Sequence, residues 1–197
     1  MIYALLALAV VAIVIVGLYN SVISLKNKCD EAWSDIDTQL KRRYDLIPNV
    51  VETVKGYAKH ESATLEKLTE LRSQSMQAKD LGDKEKAENA LTETLKSLFA
   101  LSENYPDLKA NQNFMDLQNK LAEVEDNLQL SRRYYNAVVR DFNIKIQVFP
   151  NNLLAQMLGF TSRTFFEAQG SEKENVKVDF KEEPKTEEKK QEIYKKG

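Results

Sequence analysis

The feature that most constrains this chain is at its start. Residues 1–18, MIYALLALAVVAIVIVGL, form an unbroken apolar run, and no charge appears before Lys26. A helix rises about 1.5 Å per residue, so roughly 20 residues cross a hydrocarbon core about 30 Å thick. Residues 1–25 therefore read as a transmembrane helix with the lipid bilayer as its first partner. A removable signal peptide would carry a basic leader and a shorter apolar core before a small-residue cleavage site. Here no Lys or Arg precedes the run, and Lys26-Asn27-Lys28 rather than a lipoprotein box stands before Cys29. The expected location is a cell membrane, crossed once. Lys26, Lys28, Lys41, Arg42 and Arg43 all follow the apolar run, which favours an N-terminus outside and a cytoplasmic bulk. The opposite orientation stays open, because the rule rests here on few charges.

Composition narrows the rest. Against 28 Lys and Arg stand 30 Asp and Glu, a formal charge of -2, so no basic field draws in nucleic acid. One cysteine and one histidine exclude a disulfide framework and a Cys-rich zinc site. With 43% hydrophobic and 29% charged residues and only 6 Gly and 4 Pro, the chain has the composition of a helical protein.

The apolar spacing after the first segment is helical. Trp33, Ile36, Leu40, Tyr44, Ile47, Val51, Val54 and Ala58 alternate steps of three and four, and Leu65 and Leu68 continue them. This predicts one long helix over about 26–79, kinked at Pro48. Gly82 is expected to end it and Asp83 to cap a second helix over about 84–104. Tyr105-Pro106 stops that one. A third, over about 111–149, carries Phe114, Leu117, Leu121, Val124, Leu128, Ser131, Tyr135, Val138, Phe142 and Phe149 close to a heptad repeat, with Asn113 and Asp116 as its capping box. Pro150 ends it, and Asn151 is expected to cap a short helix over 151–158. The fold class is all-α: a transmembrane helix (residues 1–25) continuous with an antiparallel bundle of three long helices and a short fourth (26–170).

Residues 171–197 hold 8 acidic and 8 basic side chains with few apolar ones, so they read as a disordered tail. Within it Val176, Val178 and Phe180 alternate, as a short strand seeking a sheet edge does; chance alternation in a linker is the equal alternative.

Little of the chain looks catalytic. His60-Glu61 is half of a zinc-protease signature, but Thr64 occupies the second ligand position. No Gly-rich phosphate loop or Gly-x-Ser-x-Gly elbow occurs, and Cys29 stands about 45 Å of helix away from His60. No catalytic, cofactor or metal residues are assigned, and no small-molecule substrate is inferred. The densest local chemistry is Arg42, Arg43, Tyr44, Asp45 and Pro48. One reading is a lipid or protein contact, but Arg42 stands roughly 25 Å beyond the apolar run, past a Debye length of about 8 Å. The favoured reading is salt bridges from Arg42 or Arg43 to acids of the third helix such as Glu125. Arg132-Arg133-Tyr134-Tyr135 mixes basic and aromatic residues, but Tyr135 is a core position and the arginines flank the seam.

Several blocks together resemble the LemA family of bacterial membrane proteins. They are Tyr19-Asn20-Ser21-Val22, Asp30 to Asp37, Lys41 to Asn49, Val51 to Ala58, Glu103 to Asn111 with Tyr105-Pro106, Tyr135-Asn136, Phe149-Pro150 and Asn175 to Phe180. Residues 72–97 match only as a helical connector, and Cys29 departs from the aliphatic or polar residue expected there. The resemblance implies an N-terminal span followed by a helical bundle, usually drawn with the N-terminus outside. It implies no established activity and no ligand residues. The family's frequent genomic company with membrane metallopeptidases and other envelope proteins hints at a scaffold role.

The expected function is a non-enzymatic membrane-anchored scaffold or adaptor, working through contacts with a protein partner or with itself. The alternative is an accessory subunit or regulator of a membrane enzyme such as an envelope-stress metallopeptidase. Its motif residues are Arg42, Arg43, Tyr44, Asp45, Pro48, Tyr105, Pro106, Tyr135, Asn136, Val176, Val178 and Phe180.

Overall fold

A computed structural model describes residues 1–58 and 60–166 of the chain. Among these the elements are all helical: α1 (Ile2–Lys55), α2 (Ser62–Gln77), α3 (Leu81–Leu101), α4 (Pro106–Lys109), α5 (Gln112–Gln147) and α6 (Asn151–Leu158), with a 3-10 turn at Ser102–Asn104. The all-α architecture expected from the apolar periodicity is what forms.

α1 runs for 54 residues without interruption, and it is the one helix among the described residues long and apolar enough to cross a membrane. It is uncovered from Ile2 to Gly17. From Val22 onward Cys29, Ala32, Ile36, Leu40, Tyr44, Ile47, Val50 and Val54 form a buried stripe. Trp33 and Val51 are only half-buried, flanking that stripe.

The helix expected over 26–79 is in fact two. α1 stops at Lys55, and α2, starting at Ser62, folds back along it. Gly56 keeps ordinary helical angles, and Ala58 plugs the turn as a buried residue whose N–H bonds back to the Val54 carbonyl. The reason is burial: a straight rod would leave Leu65, Leu68 and Leu71 in water, whereas the hairpin removes all three. α1 therefore continues only from Lys26 to Lys55 beyond its apolar part, about 45 Å rather than the 75 Å of an unbroken rod.

α3 runs beside α2, and α5 returns antiparallel to α1 in the most extensive pairing of the fold. The bundle thus has four main helices, α1, α2, α3 and α5, where three long ones were expected, and the short fourth expected over 151–158 forms as α6. Its distal part is built from α1, α2, α3 and the first half of α5. Nearer the apolar segment, α1 and α5 are joined by α6 and by an extended stretch over 160–166.

Two caps lie earlier than expected. Asp80, not Asp83, caps α3 by accepting the Gly82 N–H at 2.9 Å, so Gly82 begins this helix instead of ending the previous one. Asn111, not Asn113, caps α5 through the Phe114 N–H at 3.0 Å. α6 spans the expected 151–158, but Asn151 is its first helical residue and Pro150 precedes it as the N-cap. Phe149, expected on the α5 seam, is 79% exposed because α5 ends at Gln147, before reaching it.

Candidate functional site

Halfway along the bundle, ionisable side chains enter the core. Arg43 is only 1% exposed and Glu88 is fully buried. Arg43 reaches Glu88 at 3.2 Å, Glu125 at 3.5 Å and the Thr92 hydroxyl at 2.5 Å. Tyr44, the next residue on α1, donates its hydroxyl to the other Glu88 oxygen. One arginine thus ties α1 to α3 and α5. The Arg43–Glu125 pair is the bridge expected from the sequence, and Arg42 stays on the exposed face. Glu88 was missed, although it stands three and seven residues before Leu91 and Leu95, on the stripe α3 buries. Burial, then the charge of Glu88, pushes the Tyr44 hydroxyl far above the ordinary tyrosine range.

Pro48 belongs to the same cluster for a backbone reason. A proline has no N–H, so the carbonyl four residues earlier loses its helical partner. That carbonyl is Tyr44's, and Arg72 of α2 donates its Nε to it at 2.8 Å. The gap in α1 is therefore filled by the helix folded against it. Asp45, between these residues, is exposed.

One layer nearer the apolar segment, Trp33 meets Tyr135 edge-on at 5.5 Å and Phe166 at 6.1 Å between ring centres. Arg132 lies 4.5 Å over the Phe166 ring, and its burial lowers its pKa. The stretch ending at Phe166 is held by side chains imitating a sheet ladder. Asn136 donates to the Phe166 carbonyl and accepts its N–H, both at 2.8 Å. Asn143, one heptad on, does the same with Arg163 at 2.9 and 2.8 Å. Tyr135 donates to the Thr164 carbonyl at 3.1 Å, and Arg163 pairs with Asp30 at 2.7 Å. Two asparagines seven apart on α5 were the legible signal for this clamp.

At the far end Tyr105 donates its hydroxyl to Glu61 at 3.1 Å, and Asn111 donates to the Tyr57 hydroxyl at 2.8 Å. Pro106 opens α4 at a position where no N–H is needed. These contacts pin the α1–α2 turn to the α3–α5 connection. Beside it, α1 and α2 leave an open groove with Val51, Ala58 and Leu65 on its floor and Lys55, Glu66 and Glu70 at its rim.

The structure therefore brings Arg43, Tyr44 and Pro48 together, puts Tyr135 and Asn136 in a second cluster, and Tyr105 with Pro106 in a third. Val176, Val178 and Phe180, with the whole expected tail, lie outside the described residues. Chemically, the central cluster is mostly spent on itself: Glu88 binds two donors and Arg43 shares its charge between two carboxylates, while the buried Arg43 Nε has no hydrogen-bond partner. No group of three or more metal-ligating side chains occurs among the described residues. Cys29 is buried, and that burial raises its thiol pKa.

The model of the LemA family matches residues 32–180. Protein LemA of Metamycoplasma hominis is similar at 29% identity over 178 residues, covering 90% of this chain and 80% of its own length. Magnetosome proteins MamQ 1 and MamQ 2 of Paramagnetospirillum magneticum are each 23% identical over 197 residues, covering 84% of this chain and 72% of their own.

Proposed function

This chain belongs to the LemA family, and from that premise we propose that it is a non-enzymatic membrane-anchored scaffold that holds partner proteins, or further copies of itself, at a fixed height above the bilayer. The observation carrying this reading is the continuity of α1. A single helix passes from the bare apolar segment into the bundle with no break before Lys55. A bundle attached this way keeps a set distance along α1, about 45 Å from the end of the apolar segment to the far turn. A hinged anchor would supply only proximity.

Two further features support it. The Glu88 carboxylate at the bundle's centre is spent on Arg43 and Tyr44, which locks α1 to α3 and leaves that carboxylate unavailable to a substrate. The α1–α2 groove, with an apolar floor and a charged rim, has the chemistry that takes an amphipathic helix of a partner. The bundle faces the cytoplasm, a reading supported by Lys26 and Lys28 directly after the apolar segment.

The test is crosslinking in cells from the groove, through a photoreactive residue replacing Glu66, together with the mass of the purified full-length chain in detergent. The scaffold reading expects discrete crosslinked products or a defined oligomer. A strictly monomeric chain that crosslinks to nothing overturns it.

A further inference from the structure

The end of α5 carries a second apolar surface that the apolar N-terminal segment does not explain. From Ile146 to Ser162 there is no charged residue, in a chain that is 29% charged. This stretch is not core. Phe149 is 79% exposed and Met157 is 84% exposed, with Val148, Leu153 and Leu158 exposed beside them. Only Ile146, Asn151 and Ala155 of the stretch are buried, which fixes α6 against α1 and α5 by one face. An uncharged, outward-facing apolar patch of this kind marks a contact surface.

Its height along α1 identifies what it meets. Asn111 of α5 bonds Tyr57, Glu125 reaches Arg43, and Tyr135 packs on Trp33. Continued at one residue per residue, this antiparallel register sets Gln147 beside Ser21 of α1. The turn at residues 148–150 therefore stands where the bare part of α1 ends, since Leu18 is the first residue covered and Val22 the first fully buried. α6 starts from that turn. If residues 1–20 fill the hydrocarbon core, the patch lies at the headgroup boundary, where aromatic and aliphatic side chains on an uncharged helix are favourable. Lys26, Lys28 and Lys145 are within a few helical turns of it and suit anionic headgroups.

We propose that the 148–150 turn and the outer face of α6 form a foot inserted in the bilayer interface, so that the bundle meets the lipid surface at two points rather than one. The inference rests on the membrane-anchored reading of α1. A second contact fixes the tilt of the bundle, which a lone helix leaves free to swivel.

The test uses the full chain carrying Cys29→Ala, with an environment-sensitive fluorophore on M157C, in vesicles of phosphatidylcholine and phosphatidylglycerol. Nitroxide groups near the top of the acyl chains act as quencher. A label on L8C reads the apolar segment, and one on S73C, beside the Arg43 layer, reads the middle of the bundle. The foot predicts several-fold quenching of the M157C label, close to that of L8C, with S73C unaffected. An unquenched M157C label beside a quenched L8C label overturns the foot and leaves the anchor standing. A label shielded from water but unquenched means that a second copy or residues 167–197 cover the patch, which also overturns it. If L8C too is unquenched, the anchor and the foot fall together.

Discussion

Between Ile2 and Gly17 every residue of α1 is exposed in the folded chain, whereas from Val22 to Val54 one stripe is withdrawn from water entirely. The first half is apolar on all sides and has no protein neighbour; the second is apolar on one side only, and its neighbours are α2, α3, α5 and α6. The difference lies in periodicity rather than in hydrophobic content. An all-round apolar helix needs an apolar solvent, while a striped one needs other helices. The second half also admits Arg43 and Tyr44 to its stripe, which succeeds because Glu88, Glu125 and Thr92 are brought to meet them.

Substitutions that affect one half and not the other test this contrast. The largest effect is expected from Glu88→Ala, which leaves the buried Arg43 with only the partly exposed Glu125 carboxylate and takes the acceptor from the Tyr44 hydroxyl. Breaking a buried pair in this way costs about 3–5 kcal/mol. Denaturant melting in detergent should show it, with membrane extraction unchanged; a shift of under about 1 kcal/mol would mean that the cluster is wetter than its burial indicates.

The converse is Val10→Asp. An acid in mid-span costs insertion about 2.5–3.5 kcal/mol. Fractionation should move the chain out of the membrane while the bundle melts as before. If the bundle unfolds too, the two halves are not independent.

A smaller effect sharpens the account of Pro48. Arg72→Ala leaves the part-buried Tyr44 carbonyl without its donor, a loss of about 1 kcal/mol. Adding Pro48→Ala to that variant restores the helical N–H and should recover most of the loss. Pro48→Ala failing to rescue would show that Arg72 acts through packing instead.

The smallest effect concerns pH. The Tyr44 hydroxyl is raised above the ordinary value of about 10 in the folded chain. Its contribution is fully present below pH 10 and declines above it, where the unfolded chain ionises and the folded one does not. Stability should fall more steeply on the alkaline side in the parent than in Tyr44→Phe, and equal slopes would contradict the burial of that hydroxyl.

Much of this architecture was legible in the residues. The uncharged opening run marks the candidate span, the three–four steps mark the stripe of α1, and the heptads mark α5. The hairpin between Lys55 and Ser62 was hidden because Ala58, Leu65 and Leu68 keep the spacing of α1 across it, and Gly56 adopts no left-handed angle to flag it. Periodicity records which face is buried and not which way the chain runs. Of the central cluster, Arg43 and Glu125 were readable as complementary charges on facing helices. Arg72 was not, because its acceptor is a backbone carbonyl made available by a proline on another helix. The roles of Tyr135 and Asn136 depended on an extended stretch, residues 160–166, whose sequence carries no periodic pattern.

The contrast between the halves of α1 matters for function only if they are one rigid body, and a single distance decides that. Spin labels at L8C and K41C, both exposed sites, in the Cys29→Ala chain reconstituted in bilayers, are separated along a continuous helix by about 50 Å. The account predicts one narrow distance population near that value. A broad distribution, or one centred well below it, would place a hinge between the apolar segment and the bundle and contradict the fixed-height scaffold.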